Sequence, residues 1–148
     1  MQRNLWLCLV CLLCACAART ADPVLEELRI ISIEGDVHTF QIEIADTTST
    51  RARGLMYRKS LPSDQGMLLV YPTPQRVSIW MKNTYIPLDI FYVGRYGEIV
   101  SIVTDAKPLS LKSMPSAVDV LAVLELNAGE SAKRGIKVGD QVVHPVFK

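Results

Sequence analysis

What most restricts this chain is the length of its apolar segments, which are strand-sized and closed off by turn residues within a few positions. Val37–Ala45 alternates cleanly, with Phe40, Ile42 and Ile44 on one face and Gln41 and Glu43 on the other. Glu34-Gly35-Asp36 precedes it as a turn, so residues 28–34 and this segment read as a hairpin. His38 shares the Phe40 face and is expected to be a satisfied, partly buried side chain. Asp46-Thr47-Thr48-Ser49 offers helix-capping hydroxyls ahead of a short helix over residues 50–58. Leu55 and Met56 would be its core-facing residues. A loop over residues 61–66 leads to a buried strand over 67–71, and Pro72 and Pro74 enclose a connector. Residues 77–81 form a strand with Val77, Ile79 and Met81 on one face and Trp80 on the other. Pro87 then presets Ile86 as extended, and residues 88–93 and 98–104 make a second hairpin around Gly94-Arg95-Tyr96-Gly97. Residues 105–116 read as loop and 118–126 as a strongly apolar strand. Residues 129–135 read as helical turns stopped by Gly135, and residues 141–146 as a last strand. The sum is a mainly-β domain, most economically a small closed or half-closed β-barrel with one or two short helices, with a β-sandwich as the alternative.

The N-terminus follows a different rule. Residues 1–4 are weakly basic, residues 5–14 are apolar, and Ala15, Ala17 and Ala18 are small, a signal-peptide layout too short for a membrane span. This predicts a signal peptide over residues 1–18, a linker over 19–27 and a single domain over 28–148. Ala15-Cys16-Ala17 fits ordinary release, whereas Leu13-Cys14-Ala15-Cys16 resembles a lipobox with Cys16 as the lipid-bearing residue. The product is therefore expected to be exported, periplasmic or secreted, and alternatively lipid-anchored. All four cysteines lie in this segment, at 8, 11, 14 and 16. The mature domain accordingly has no thiol nucleophile, disulfide or cysteine metal site, Cys16 apart. Loss of Arg3 with the leader takes the 16 basic residues to 15, against 15 acidic ones, and a neutral domain is a poor general binder of nucleic acid.

The densest chemistry lies in residues 79–90, where the mature chain's one Trp, a Lys-Asn-Thr turn, an X-Pro step and an acid within an apolar run follow one another. Taken with Gly54-Leu55-Met56, Gly66-Met67-Leu68 and Leu124-Glu125-Leu126, the runs Trp80-Met81-Lys82-Asn83-Thr84 and Ile86-Pro87-Leu88-Asp89 closely resemble the bacterial and archaeal family called domain of unknown function 192. The resemblance covers roughly residues 40–146. It implies an exported protein and carries no established activity with it.

Asp89 and Glu125 each stand between apolar neighbours. An unpaired carboxylate on a core face would cost several kcal/mol or stay protonated, so each needs partners. Lys82, Arg53, Asn83 and Thr84 are the candidates by motif, and the simplest role for Asp89 is to accept backbone N–H groups from the Lys82 turn. Three functional readings follow. The first is a binding or accessory module of the cell envelope, with Arg51, Arg53, Lys82 and Arg76 gathered at a barrel mouth beside Trp80 and Tyr85. Such a mouth suits an anionic or sugar-like small molecule, although the arginines could equally form a solvated face. The site set is then Trp80, Lys82, Asn83, Thr84 and Asp89, supported by Arg53 and Glu125. The second is a small envelope hydrolase in which Asp89 and Glu125 divide acid and base roles. The third is thioether handling of Cu(I) by Met56, Met67, Met81 and Met114, residues more simply read as core filling. No cofactor or metal is expected. The expected partner is a small molecule or an envelope protein, not nucleic acid, and the expected state is a monomer.

Overall fold

The computed structural model describes residues 23–148; the expected signal peptide lies outside them. The strands are β1 (Glu26–Ile31), β2 (Val37–Ala45), β3 (Gln65–Gln75), β4 (Ser78–Ile79), β5 (Leu88–Val93), β6 (Ile99–Ala106), β7 (Met114–Pro115), β8 (Val120–Asn127) and β9 (Gln141–Val143). Two short helices, α1 (Thr48–Arg53) and α2 (Glu130–Arg134), complete the set. Seven strands form one sheet in the order β6-β5-β8-β3-β2-β1-β9, while β4 and β7 pair separately. β1 starts at Glu26, two residues ahead of Leu28.

The large sheet curls until its two edges meet. Glu98 bridges Gln141, Val142 N–H donates to Gly97 O at 2.7 Å, and Ile99 N–H donates to Asp140 O at 2.9 Å. Gly97 permits this contact. Its φ is +91°, and a Cβ there would lie 2.3 Å from Val142 O, closer than any side chain tolerates. The result is the half-closed barrel expected from the strand pattern, and the single curled sheet excludes the sandwich.

Both faces of the sheet are covered. Leu28, Ile30, Phe40, Ile42, Leu68, Phe91, Val93, Ile99, Leu124, Leu126 and Val142 fill the barrel interior, and every strand of the sheet contributes. A second apolar cluster lies on the outer face of β3, β5 and β8, where Met67, Leu69, Leu88, Ile90, Tyr92 and Val123 meet Leu55, Leu61, Val77, Ile79, Met81 and Ile86. The segment after α1 and the β4–β7 pair thus form an outer layer over the middle of the sheet. This explains why β5 is buried at every position, since a strand covered on both sides reads as a continuous apolar run.

Several expected boundaries move. α1 ends at Arg53 rather than at residue 58, because Gly54 adopts φ 47° and ψ −135° and turns the chain out of the helix. β3 runs on through Pro72 and Pro74, with a shift in register between Val70 and Gln75 that lets the prolines pass without ladder donors. β2 and β3 are parallel, α1 lying in the crossover between them. β9 stops at Val143, three residues short of the expected strand end. α2 ends at Gly135 as expected, with φ 67° at its C-cap.

Candidate functional site

A cleft of about 170 Å³ lies between the outer face of the sheet and the layer that covers it. Its floor is Glu125 of β8, which is in register with Met67 of β3 and Ile90 of β5. One wall is α1 and the turn that follows, including Arg51, Arg53, Gly54 and Met56. The other is Ser78, Ile79, Trp80 and Thr84, and Leu69 and Tyr71 continue the floor.

α1 is held at this wall by its own ends. Thr50 N–H donates to Thr47 Oγ1 at 3.1 Å, while Thr47 N–H donates to Thr50 Oγ1 at 3.0 Å, a reciprocal cap that fixes the start of the helix. At the other end Gly54 brings bare backbone over Glu125. A Cβ on Gly54 would stand 3.5 Å from Glu125 Oε2 in a conformation that L side chains rarely adopt.

Three arginines leave this region in three ways. Arg51 donates from Nη1 to Val70 O at 2.8 Å and to Asp46 O, and its guanidinium lies 5.1 Å from the centre of the Tyr71 ring. Arg58 forks onto Glu43, with Nη2 to Oε2 at 2.6 Å. Arg53 is exposed. Arg51, Arg53 and Lys82 take part in none of the ion pairs among the described residues. The alternative of a solvated face therefore fails for Arg51, which is tied down by carbonyls, and Arg58 is likewise held, by a carboxylate.

Glu125 is 5% exposed, and its Oε2 atom has no hydrogen-bond partner. Arg58 is close enough to favour its charge but is already committed to Glu43. Burial raises the Glu125 carboxyl to about 7, with Arg58 pulling in the opposite direction. Burial likewise raises the phenols beside it: Tyr71 is pushed up against the pull of Arg51, and Tyr92 reaches about 12. Tyr92 donates its hydroxyl to Met114 O. Near neutral pH the cleft thus carries fixed cations on its wall and one carboxyl on its floor that a proton can switch.

The Lys82-Asn83-Thr84 turn sits at the rim. Lys82 Nζ lies 5.1 Å from the Trp80 ring centre, and Trp80 is 48% exposed. Asn83, at φ 54°, donates from Nδ2 to Tyr57 OH at 2.8 Å and accepts Tyr57 N–H on its carbonyl at 2.8 Å. Thr84 O receives Leu109 N–H at 3.1 Å. Tyr57 and the loop before β7 hold this turn, and Asp89 takes no part.

The family model of DUF192, described as "Uncharacterized ACR", matches residues 29–144. The chain belongs to this family. A crystal structure of a Sinorhizobium meliloti 1021 protein, provisionally described as a transcription regulator, is 37% identical with a TM-score of 0.81, over 84% of this chain and 96% of that one. A Novosphingobium aromaticivorans DSM 12444 protein of unknown function is 38% identical with a TM-score of 0.78, over 81% of this chain and 85% of that one. No match to a functionally curated protein was found.

Within this DUF192 domain the residues singled out by sequence divide into two groups. Arg53, Trp80, Thr84 and Glu125 line one cleft, with Lys82 and Asn83 on its rim. Asp89 lies elsewhere. It occupies the sheet face opposite Glu125, because its neighbour Ile90 is the residue in register with Glu125. Its Oδ1 accepts Asp105 N–H at 3.0 Å, and its Oδ2 accepts Gly129 N–H at 3.1 Å, Ser131 N–H at 2.9 Å and Ser131 Oγ–H at 2.6 Å. It is a fully buried acceptor that caps α2 and ties down the end of β6, so the expected contact with the Lys82 turn is corrected. The hydrolase reading loses its basis too, since carboxylates on opposite faces of a sheet cannot flank one bond. Arg76 pairs with Asp119 away from the cleft. The mouth of the barrel is likewise not where the cations meet, because the cleft lies on the barrel's outer face. Met67 and Met81 are packed in the outer apolar cluster, with Met114 against it, as core filling requires. Gly54 and Tyr71 also line the cleft, and neither carries a local sequence signal, one being a glycine inside the expected helix and the other the last residue of an expected apolar strand.

Proposed function

We propose that this protein is an exported cell-envelope binding module that holds a small anionic molecule in the cleft between α1 and Trp80. The observation that carries this reading is the pair of cations lining one cleft, Arg51 and Arg53, with Lys82 against the ring of Trp80 in its wall, none of which has a carboxylate partner among the described residues. Arg51 is held in place by two carbonyls and the Tyr71 ring, so it presents a fixed charge at low conformational cost. Arg53 supplies a free planar fork, the group best suited to a carboxylate or phosphate. Trp80 offers a flat apolar surface beside them. The cleft is smaller than the roughly 300–1,000 Å³ of drug-sized sites, which favours a ligand of one ring or less.

The description of the Sinorhizobium meliloti protein as a transcription regulator is not carried over. The charge balance is near neutral, and helices of six and five residues are poor candidates for reading a DNA groove. The proposal is tested by calorimetric titration of the mature protein with glucuronate and with inorganic phosphate. Arg53→Ala should weaken binding of either anion at least tenfold, as loss of a charge-assisted contact does, with no change in the thermal midpoint. Equal affinity in wild type and variant would remove the basis of the reading.

A further inference from the structure

Glu125 is the one feature of the cleft that an anion alone does not explain. A carboxyl 5% exposed, with Oε2 lacking any partner, sits at the floor of a cleft whose wall is cationic. Buried polar atoms are almost always satisfied by protein or ordered water; among the described residues Glu125 Oε2 and His38 Nε2 are without a protein partner, the latter against expectation, and of the two residues only Glu125 lines the cleft. The protein has a cation within reach in Arg58, yet that guanidinium is forked onto Glu43. Gly54 has no side chain, which leaves the space over Oε2 clear of any Cβ. The side of the carboxyl that the protein leaves open is the one that lines the cleft.

We propose that the ligand is a hydroxylated anion of the sugar-acid class, with its acid group on Arg53 and a ring hydroxyl on the cleft-facing edge of the Glu125 carboxyl. This rests on the anion-binding reading above and names the chemistry of its second contact. A hydroxyl is the group that fits, because it both donates and accepts. It satisfies Glu125 as a carboxylate by donating and as a carboxylic acid by accepting, and so binds on either side of neutral pH. A second acid group would serve only the protonated form, and an apolar ring serves neither. The groups facing Glu125 from its surroundings are Arg58 beyond α1, Tyr71 of β3 and Tyr92 of β5, along with the α1 arginines. The two phenols are raised above their ordinary range and the guanidinium groups stay charged, so between pH 6 and 8 Glu125 is the group among these that changes charge. Trp80, half exposed at the rim, gives the apolar face of a sugar ring something flat to lie against.

The test compares two probes of equal charge and ring size, glucuronate and cyclohexanecarboxylate, titrated calorimetrically into the mature protein at pH 6 and pH 8. Glucuronate should bind at least tenfold more tightly. The gap should widen at pH 8, where the apolar ring is laid against an ionised carboxylate. Glu125→Leu should erase the gap by weakening glucuronate while leaving cyclohexanecarboxylate unchanged or improved. Glu125→Gln, which keeps hydrogen-bonding capacity and shape, should retain part of the gap but lose its pH dependence, and it guards against a misfolded Leu variant. Equal affinities for the two probes, with Arg53→Ala still weakening both, would overturn the role of Glu125 while leaving the anion site standing. Failure of both probes to bind would overturn the two together.

Discussion

At the scale of single residues, Glu125 makes a testable difference even without a ligand. Its carboxyl titrates near 7 in the folded protein and at the ordinary 4.5 when exposed. Between those two values the folded state holds more proton than the unfolded one, so stability falls as pH rises from 4.5 to 7 and this contribution levels off above 7. A shift of that size corresponds to roughly 3 kcal/mol at its limit. Glu125→Gln removes the titration. In urea melts at a series of pH values, the variant should match wild type near pH 4.5 and exceed it by up to about 3 kcal/mol at pH 8. A stability difference that stays constant across this range would mean that Glu125 is not titrating in the window. The cost is consistent with a group kept for binding, since an apolar residue of similar volume would suit the same floor at no such penalty.

At the scale of elements, Asp89 shows how a buried acid becomes structural. α2 is only five residues long and has glycine at its N-cap with no side-chain cap of its own, too short a helix to persist unaided. Asp89 supplies the missing cap from β5, forty residues away at Gly129 and forty-two at Ser131, and its other oxygen fastens β6 at Asp105. Asp89→Ala would strand three backbone donors at once and should cost about 3–5 kcal/mol. Lys82→Ala, at an exposed rim position, should stay within about 0.5 kcal/mol of wild type. Chemical denaturation of the two variants side by side checks this, and a mild Asp89→Ala would show that α2 docks without it. The need for partners was legible from the apolar neighbours of Asp89 and Glu125, but their identity was not. Alternation tells which residues share a face. It cannot tell which face is interior when a strand is buried on both, as β5 is, so Asp89 and Glu125 looked alike in sequence while one faces the barrel and the other the cleft. The hairpins and the stop at Gly135 were legible because their signals are local. The β4–β7 pair, the parallel β2–β3 crossover and the outer-face cleft depend on contacts between distant segments, which leave no local pattern.

At the scale of the whole molecule, the expected signal peptide would tie the compartment to what the cleft can meet. β1 starts at Glu26, and among the described residues no helix is long and apolar enough to cross a membrane. We propose that the N-terminal segment decides where the molecule resides. Release after Ala18 would give a chain with no cysteine and a balanced charge, free to diffuse with its cleft open to soluble anions. A lipid on Cys16 would instead hold the domain at the membrane, with its cleft near the headgroups. The two states differ in mass by the acyl chains and by the residues between the cleavage points. Mass spectrometry of the denatured protein recovered from its own cell envelope should return the unmodified mass of residues 19–148. A mass beginning at Cys16 and carrying acyl chains would instead make the protein a membrane-anchored receptor. Its ligand would then be sought among anionic molecules at the membrane surface rather than among diffusing sugar acids.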